Sequence, residues 1–237
     1  MPSVESFAYA LIGGLLPALV WLDFLLQEDR RCPEPRWLVA IAFLVGMLCV
    51  PLVIPLEHWA FSAFASGLPT IIAWATIEET AKYLLAAIFV LTHKAARQST
   101  HLVTSMITVA LGFAAMENAF FLIDPISNGQ FMSGLVTGNL RFVGATLLHV
   151  VASSAIGFAL AFSYKASRPV RAAAASLGLI LAIALHAVFN FFIIQEDGSH
   201  TLLAFFTVWT GAVVFFAVFE ILKYFRYRNL PANTCDT

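Results

Sequence analysis

Three ionisable residues stand where a membrane helix tolerates them least. Glu78, Glu79 and Lys82 lie in the middle of an apolar run from about Phe64 to Leu91. Each charge at the centre of such a helix costs roughly 2.5–3.5 kcal/mol even on lenient insertion scales. A chain that keeps all three needs partners for them on other helices at a matching depth. Composition puts the run in a bilayer. The chain is 60% hydrophobic and 11% charged, where a soluble domain carries about 25% charge. The expected fold class is therefore all-α, a polytopic membrane helix bundle with the lipid bilayer as its main solvent. A net charge of −1 leaves no basic footprint for nucleic acid. Cys32, Cys49 and Cys235 are scattered, with no metal spacing and no disulfide framework. Met1 to Ser6 carries no Lys or Arg and leads into a long apolar run, which reads as a first transmembrane helix rather than a cleaved leader.

A spanning helix needs about 20 apolar residues. That rule predicts seven spans, roughly 7–27, 37–57, 64–91, 101–123, 139–163, 172–194 and 201–224. Glu28–Arg36 reads as a charged loop and Trp59–Ala63 as a tight connection. Asp124–Gly138, rich in Gly, Ser and Asn, reads as a longer loop. Arg30, Arg31 and Arg36, then Lys94 and Arg97, then Lys165, Arg168 and Arg171, then Lys223, Arg226 and Arg228 fall in alternate connections, after the first, third, fifth and seventh spans, and so on one side of the membrane. The alternation predicts an outer N-terminus and a cytoplasmic C-terminus. No internal repeat or second domain is visible, so residues 1–237 read as one membrane domain with its motif-bearing core at about 64–194. Pro17, Pro51 and Pro55 are expected to kink their helices. Glu57 and His58 read as snorkelling residues at an outer helix end.

Other spans carry polar groups of their own: Glu117 and Asn118 on the fourth, Arg141 and His149 on the fifth, His186 and Asn190 one turn apart on the sixth. At 1.5 Å per residue from the cytoplasmic ends, Glu78 and Glu79 lie at about 20 Å, His149 at about 21 Å, and Glu117 and His186 at about 24 Å. Lys82 lies about one turn closer to the cytoplasm. Intramembrane ionisable clusters mark functional sites by default. Carboxylates and imidazoles can hold a divalent metal and leave one carboxylate as general base. One candidate zinc set is Glu117, His149 and His186, with Glu78 or Glu79 activating water and Lys82 neutralising the other. Glu78 shares a helix face with Lys82 and is favoured as the base. Without metal, a glutamate could still activate water while His186 and Asn190 stabilise the oxyanion. Arg141 and Asn118, towards the outer mouth, are expected to hold substrate, or in the case of Arg141 to pair with an acidic neighbour.

The motifs Glu78-Glu79-x-x-Lys82, Gly112-Phe113-x-x-x-Glu117-Asn118, His149 and His186-x-x-x-Asn190 resemble those of the PrsW family of intramembrane proteases. The resemblance runs from about Pro69 to Phe192, in the same order on successive helices. It extends to the related CAAX prenyl endopeptidases, whose second motif usually ends in His where this chain has Glu117. Their basic residue after the glutamate pair is an Arg one position beyond Lys82. Both departures favour the PrsW branch.

The resemblance implies hydrolysis of a peptide bond in a membrane-protein substrate, typically a single-span anti-sigma factor in the bacterial plasma membrane. It also implies a metallopeptidase, with zinc or another divalent metal as cofactor. Two rival classes stand beside it. The seven-span scaffold subunit of gamma-secretase has the same predicted topology without being the protease, but a scaffold has no need of the glutamate pair with Glu117. A proton-coupled transporter also uses Glu and His chains, but no inverted repeat is visible here.

Overall fold

The computed structural model describes residues 3–28, 32–96, 98–195 and 201–228. They form helices and short connections, with no strand among them. Arg30, Arg31, Arg97, residues 196–200 and Cys235, used in the sequence reading, lie outside the described residues. The helices are α1 (Val4–Glu28), α2 (Arg36–Phe64), α3 (Leu68–Phe89), α4 (Ser99–Ser127), α5 (Phe131–Leu140), α6 (Thr146–Phe162), α7 (Arg168–Asn190) and α8 (Thr201–Tyr227). A π-helical turn, Arg141–Ala145, joins α5 to α6, and a second, Phe191–Gln195, extends α7. Since α5 and α6 run on as one rod, the described residues contain seven long helices.

Six of these are long and apolar enough to cross a membrane, and the protein is an integral membrane protein. The remaining one is α3, which has 22 residues and its three charges at mid-length. Its amphipathicity is inverted relative to a soluble helix. Ile72, Leu84 and Ile88 face outward, while Glu78, Glu79 and Lys82 are buried. With no water in the bilayer core, polar groups must find protein partners, so they turn inward.

Two helix boundaries differ from expectation, both at the predicted outer side. Trp59–Ala63 is not a connection: α2 continues through Pro51, Pro55 and Glu57 to Phe64. The turn comes at Ala65 and Gly67, both with positive φ. Asp124–Gly138 is not a loop either. α4 carries Pro125 inside its last turn and α5 begins at Phe131. Gly129, with positive φ, makes the tight turn between the two helices, and Gly134 and Gly138 pack beside Ile126 and Leu122 of α4. The cysteines differ too, since Cys32 is disulfide-bonded while Cys49 is a buried free thiol.

α4 is the central post, packed against α1, α2 and α6. Small residues set its close approach to α2. A Cβ at Gly112 would fall on the carbonyl of Phe43, and one at Gly46 on the carbonyl of Val109. Backbone contact of this kind replaces hydrophobic drive in lipid. It also fixes the rotation of α4 so that Glu117, five residues after Gly112, faces a cavity. α3 packs against α2 and α7, and α6 against α4 and α7. The polar stripes of four helices therefore meet in one place.

Candidate active site

The meeting place is a cavity of about 480 Å³. Its walls are largely aromatic and aliphatic, including Trp74, Phe113, Phe120, Phe121 and Phe205. Glu57, Glu78, Glu117, Arg141, His149, His186 and Asn190 are its ionisable and amide groups. α1 contributes nothing to it, whereas α2 and α8 do.

Lys82 anchors the arrangement from below. It is wholly buried and does not line the cavity. Its ammonium donates to Glu79 Oε1 at 2.7 Å, to His149 Nδ1 at 2.8 Å and to Glu78 Oε2 at 3.5 Å, and sits 4.0 Å above the Phe113 ring. Three donors meet three acceptors, which is the full capacity of an ammonium.

The two adjacent glutamates are separated by the helix geometry. Consecutive residues point about 100° apart. Glu79 is fully buried, and both its oxygens are engaged: Oε1 by Lys82 and by His186 Nδ1 at 2.9 Å, Oε2 by the Ser153 hydroxyl at 2.9 Å. Glu78 turns to the cavity wall. Its Oε2 stands 3.9 Å from His186 Nε2, and it shares the cavity wall with Glu57. Glu78 is thus the less committed of the pair.

The imidazoles have defined tautomers. An ammonium cannot accept, so His149 Nδ1 accepts from Lys82. The ring proton then sits on Nε2, which donates to Glu117 Oε2 at 3.0 Å. His186 donates from Nδ1 to Glu79, and its Nε2 faces Glu78 beyond hydrogen-bond distance. A carboxylate behind the imidazole, with the other nitrogen open, is how metal-ligating histidines are held. Arg141 donates from Nη2 to Glu117 Oε2 and from Nε to Asn118 Oδ1 at 2.6 Å. Asn118 in turn donates to the Thr146 hydroxyl at 3.0 Å. Asn190 is on the cavity wall, one turn beyond His186.

Ligand atoms of Glu78, His149 and His186 lie within 4.8 Å of one another. Two imidazoles and a carboxylate in a buried setting are the donor types of a divalent metal site. Across the cluster, three carboxyl groups (Glu78, Glu79, Glu117) face two fixed cations (Lys82, Arg141), a balance that favours a further cation. The residue types therefore fit a metal, with the condition that His149 release the Lys82 ammonium from Nδ1, because both its nitrogens are engaged here. In this arrangement the carboxylate grouped with both imidazoles is Glu78, and Glu117 is joined to His149 and Arg141.

Two cavity or support residues escaped the sequence reading. Glu57 reads as a helix-end residue because a span of about 20 apolar residues from Trp37 closes there. Ser153 is one turn after His149 and on the same face, from which its hydroxyl donates to Glu79.

Comparison with known proteins gives a consistent result. A profile described as PrsW family intramembrane metalloprotease matches residues 34–222. A "Protease PrsW" of Oceanobacillus iheyensis is 24% identical over 227 residues, covering 94% of this chain and 97% of that protein. A "Protease PrsW" of Clostridioides difficile is 23% identical over 190 residues, 77% of this chain and 78% of that protein. Another, from Shouchella clausii, is 25% identical over 205 residues, 82% and 87%. No solved structure matches the chain.

Proposed function

The chain belongs to the PrsW family of intramembrane metalloproteases, and from that premise we propose that it hydrolyses a peptide bond of a membrane-protein substrate inside the cavity between α2, α3, α4, α6 and α7. The observation that carries this reading is the convergence of Glu78, His149 and His186 within 4.8 Å on the wall of that cavity. A purely structural ion pair would need neither the open cavity nor the unengaged Nε2 of His186.

Glu78, His149 and His186 are the residues that would hold a divalent metal, zinc or a close relative; His149 would do so through Nδ1 in place of the Lys82 ammonium, since its Nε2 carries the proton donated to Glu117. When bound, such a metal polarises the scissile carbonyl and acidifies water. The remaining roles belong to the protein. Glu78 has two oxygens, so it can serve the donor set through one and take the proton of the attacking water through the other. The water oxygen bonds to the carbonyl carbon, and Glu78 returns the proton to the leaving amine nitrogen as the C–N bond breaks. The Asn190 amide, on the cavity wall one turn beyond His186, would donate to the developing oxyanion. Glu79 holds His186 by its Nδ1–H, and Lys82 ties Glu79 to His149. The apolar walls suit a transmembrane or juxtamembrane peptide stripped of water, such as the single-span anti-sigma factor implied by the resemblance.

The charge alternation supports an outer N-terminus and a cytoplasmic C-terminus, with the cavity in the outer half of a bacterial plasma membrane. The test is cleavage of a reporter single-span substrate in membranes by wild type and Glu78→Gln. Cleavage by wild type and none by a correctly inserted Glu78→Gln is the expected result. Equal cleavage by both would remove Glu78 from the chemistry.

A further inference from the structure

Arg141 reaches the site through an irregularity of its helix. It opens the π-helical turn Arg141–Ala145, eight residues before His149. Eight residues of unbroken α-helix turn through about 800°, which would leave the two side chains roughly 80° apart around the axis. A π turn absorbs one extra residue, so the same interval turns through about 700° and both side chains come within roughly 20° of one face. The irregular turn therefore brings Arg141 into register with His149.

What Arg141 meets there is not an open binding surface. One oxygen, Glu117 Oε2, accepts from both Arg141 Nη2 and His149 Nε2. The Nε of Arg141 is spent on Asn118, and its guanidinium carbon lies 3.8 Å from the centroid of the Phe121 ring. The side chain is only 15% exposed. A guanidinium held through Nε and Nη2 and stacked on an aromatic face has its orientation set by the protein.

We propose that Arg141 is a positioning residue. It clamps Glu117 against His149 and thereby fixes the proton of that imidazole on Nε2, leaving the Nδ1 lone pair to Lys82 in the metal-free protein and to a metal where one is bound. The Glu117 carboxylate alone sits on a rotatable side chain that could turn towards the cavity, and Arg141 removes that freedom. This rests on the metalloprotease reading for its catalytic consequence, but the clamp itself is a property of the metal-free protein.

The experiment follows the imidazole protons by NMR in detergent-solubilised, metal-free protein carrying isotope-labelled histidine. The His149 signal is assigned by its absence in His149→Gln. Wild type is expected to show a protected Nε2–H on His149 and a protected Nδ1–H on His186. Arg141→Gln should lose the first and keep the second, which serves as the internal control of fold. Should Arg141→Gln not fold, Arg141→Lys is measured instead, because one ammonium cannot serve Glu117 and Asn118 together, and the same loss is expected.

Persistence of the His149 proton in the variant overturns the proposal. Kinetics give the second arm. Loss of the clamp should lower kcat by about 10–100-fold, as loss of an outer partner of a ligating histidine does, with KM changed less than about twofold. A rise in KM with kcat intact would make Arg141 a substrate contact and also overturn the clamp. A wild-type protein that shows the proton but cleaves nothing would count against the protease reading alone.

Discussion

Nδ1 of His186 lies 2.9 Å from Oε1 of Glu79, across 107 residues of sequence. This contact divides the labour of the adjacent glutamates. Glu79 looks inward and holds an imidazole, and Glu78 looks into the cavity.

That division predicts two different phenotypes. Glu78→Gln should abolish cleavage and leave thermal stability within about 1 kcal/mol of wild type, because the contact of Glu78 with Lys82 is long, at 3.5 Å. Glu79→Gln should abolish cleavage and also lower stability by about 3–5 kcal/mol, the usual cost of breaking one side of a buried ion pair. Thermal unfolding in detergent beside a cleavage assay separates the two. Equal stability losses would refute the inward and outward assignment.

The Lys82–Glu79 pair should show strong non-additivity. Lys82→Met leaves Glu79 buried without its cation and should destabilise by about 3–5 kcal/mol. Adding Glu79→Met removes the stranded carboxylate, and the double variant should recover most of that stability while remaining inactive. A double variant as unstable as the sum of the singles would show that the pair is not coupled.

Metal dependence is expected from the donor set of Glu78, His149 and His186. Chelation should remove activity, and zinc or another divalent metal should restore it. His186→Ala and His149→Ala should each lower metal content in the purified protein. Activity that survives complete metal removal would leave the metal-free route, with glutamate-activated water, as the mechanism.

A pH effect should come from the other end of the molecule. Glu34, in the segment before α2, is buried and accepts from the Ser105 hydroxyl. Its Oε2 finds no hydrogen-bond partner among the described residues. Burial pushes its carboxyl up from 4.5 to about 7, partly opposed by the Ser105 hydrogen bond. The folded state therefore binds more protons than the unfolded one between those values, and this stabilisation is lost as pH rises through about 7. The loss is bounded at roughly 3 kcal/mol. Thermal midpoints should fall between pH 5 and pH 8 in wild type and vary less in Glu34→Gln.

Much of this architecture is visible in the sequence because membrane depth is nearly linear in residue number. Of the five groups assigned to one slab, Glu78, Glu117, His149 and His186 line a common cavity, and Glu79 lies directly beneath it. What the sequence could not reveal depends on departures from regular geometry. Glu57 reads as a helix end because about 20 apolar residues suffice for a span, yet α2 runs on to Phe64. The placement of Arg141 depends on a π turn, which a 3.6-residue periodicity cannot anticipate. The split between Glu78 and Glu79 is legible as a 100° difference, but which of them faces inward is set by where α6 and α7 happen to pack.

Lys82, with its three donors matched to three acceptors, also bears on how the protein is made. Two of those acceptors are on α3 itself, but the third is His149, and Glu79 also depends on Ser153 and His186. All three of these residues are synthesised after α3. The nascent chain must therefore deliver a helix with three charges to the membrane before α6 and α7 exist to receive it. Stable insertion of α3 has to wait for the second half of the chain, so biogenesis and completion of the active site are a single event.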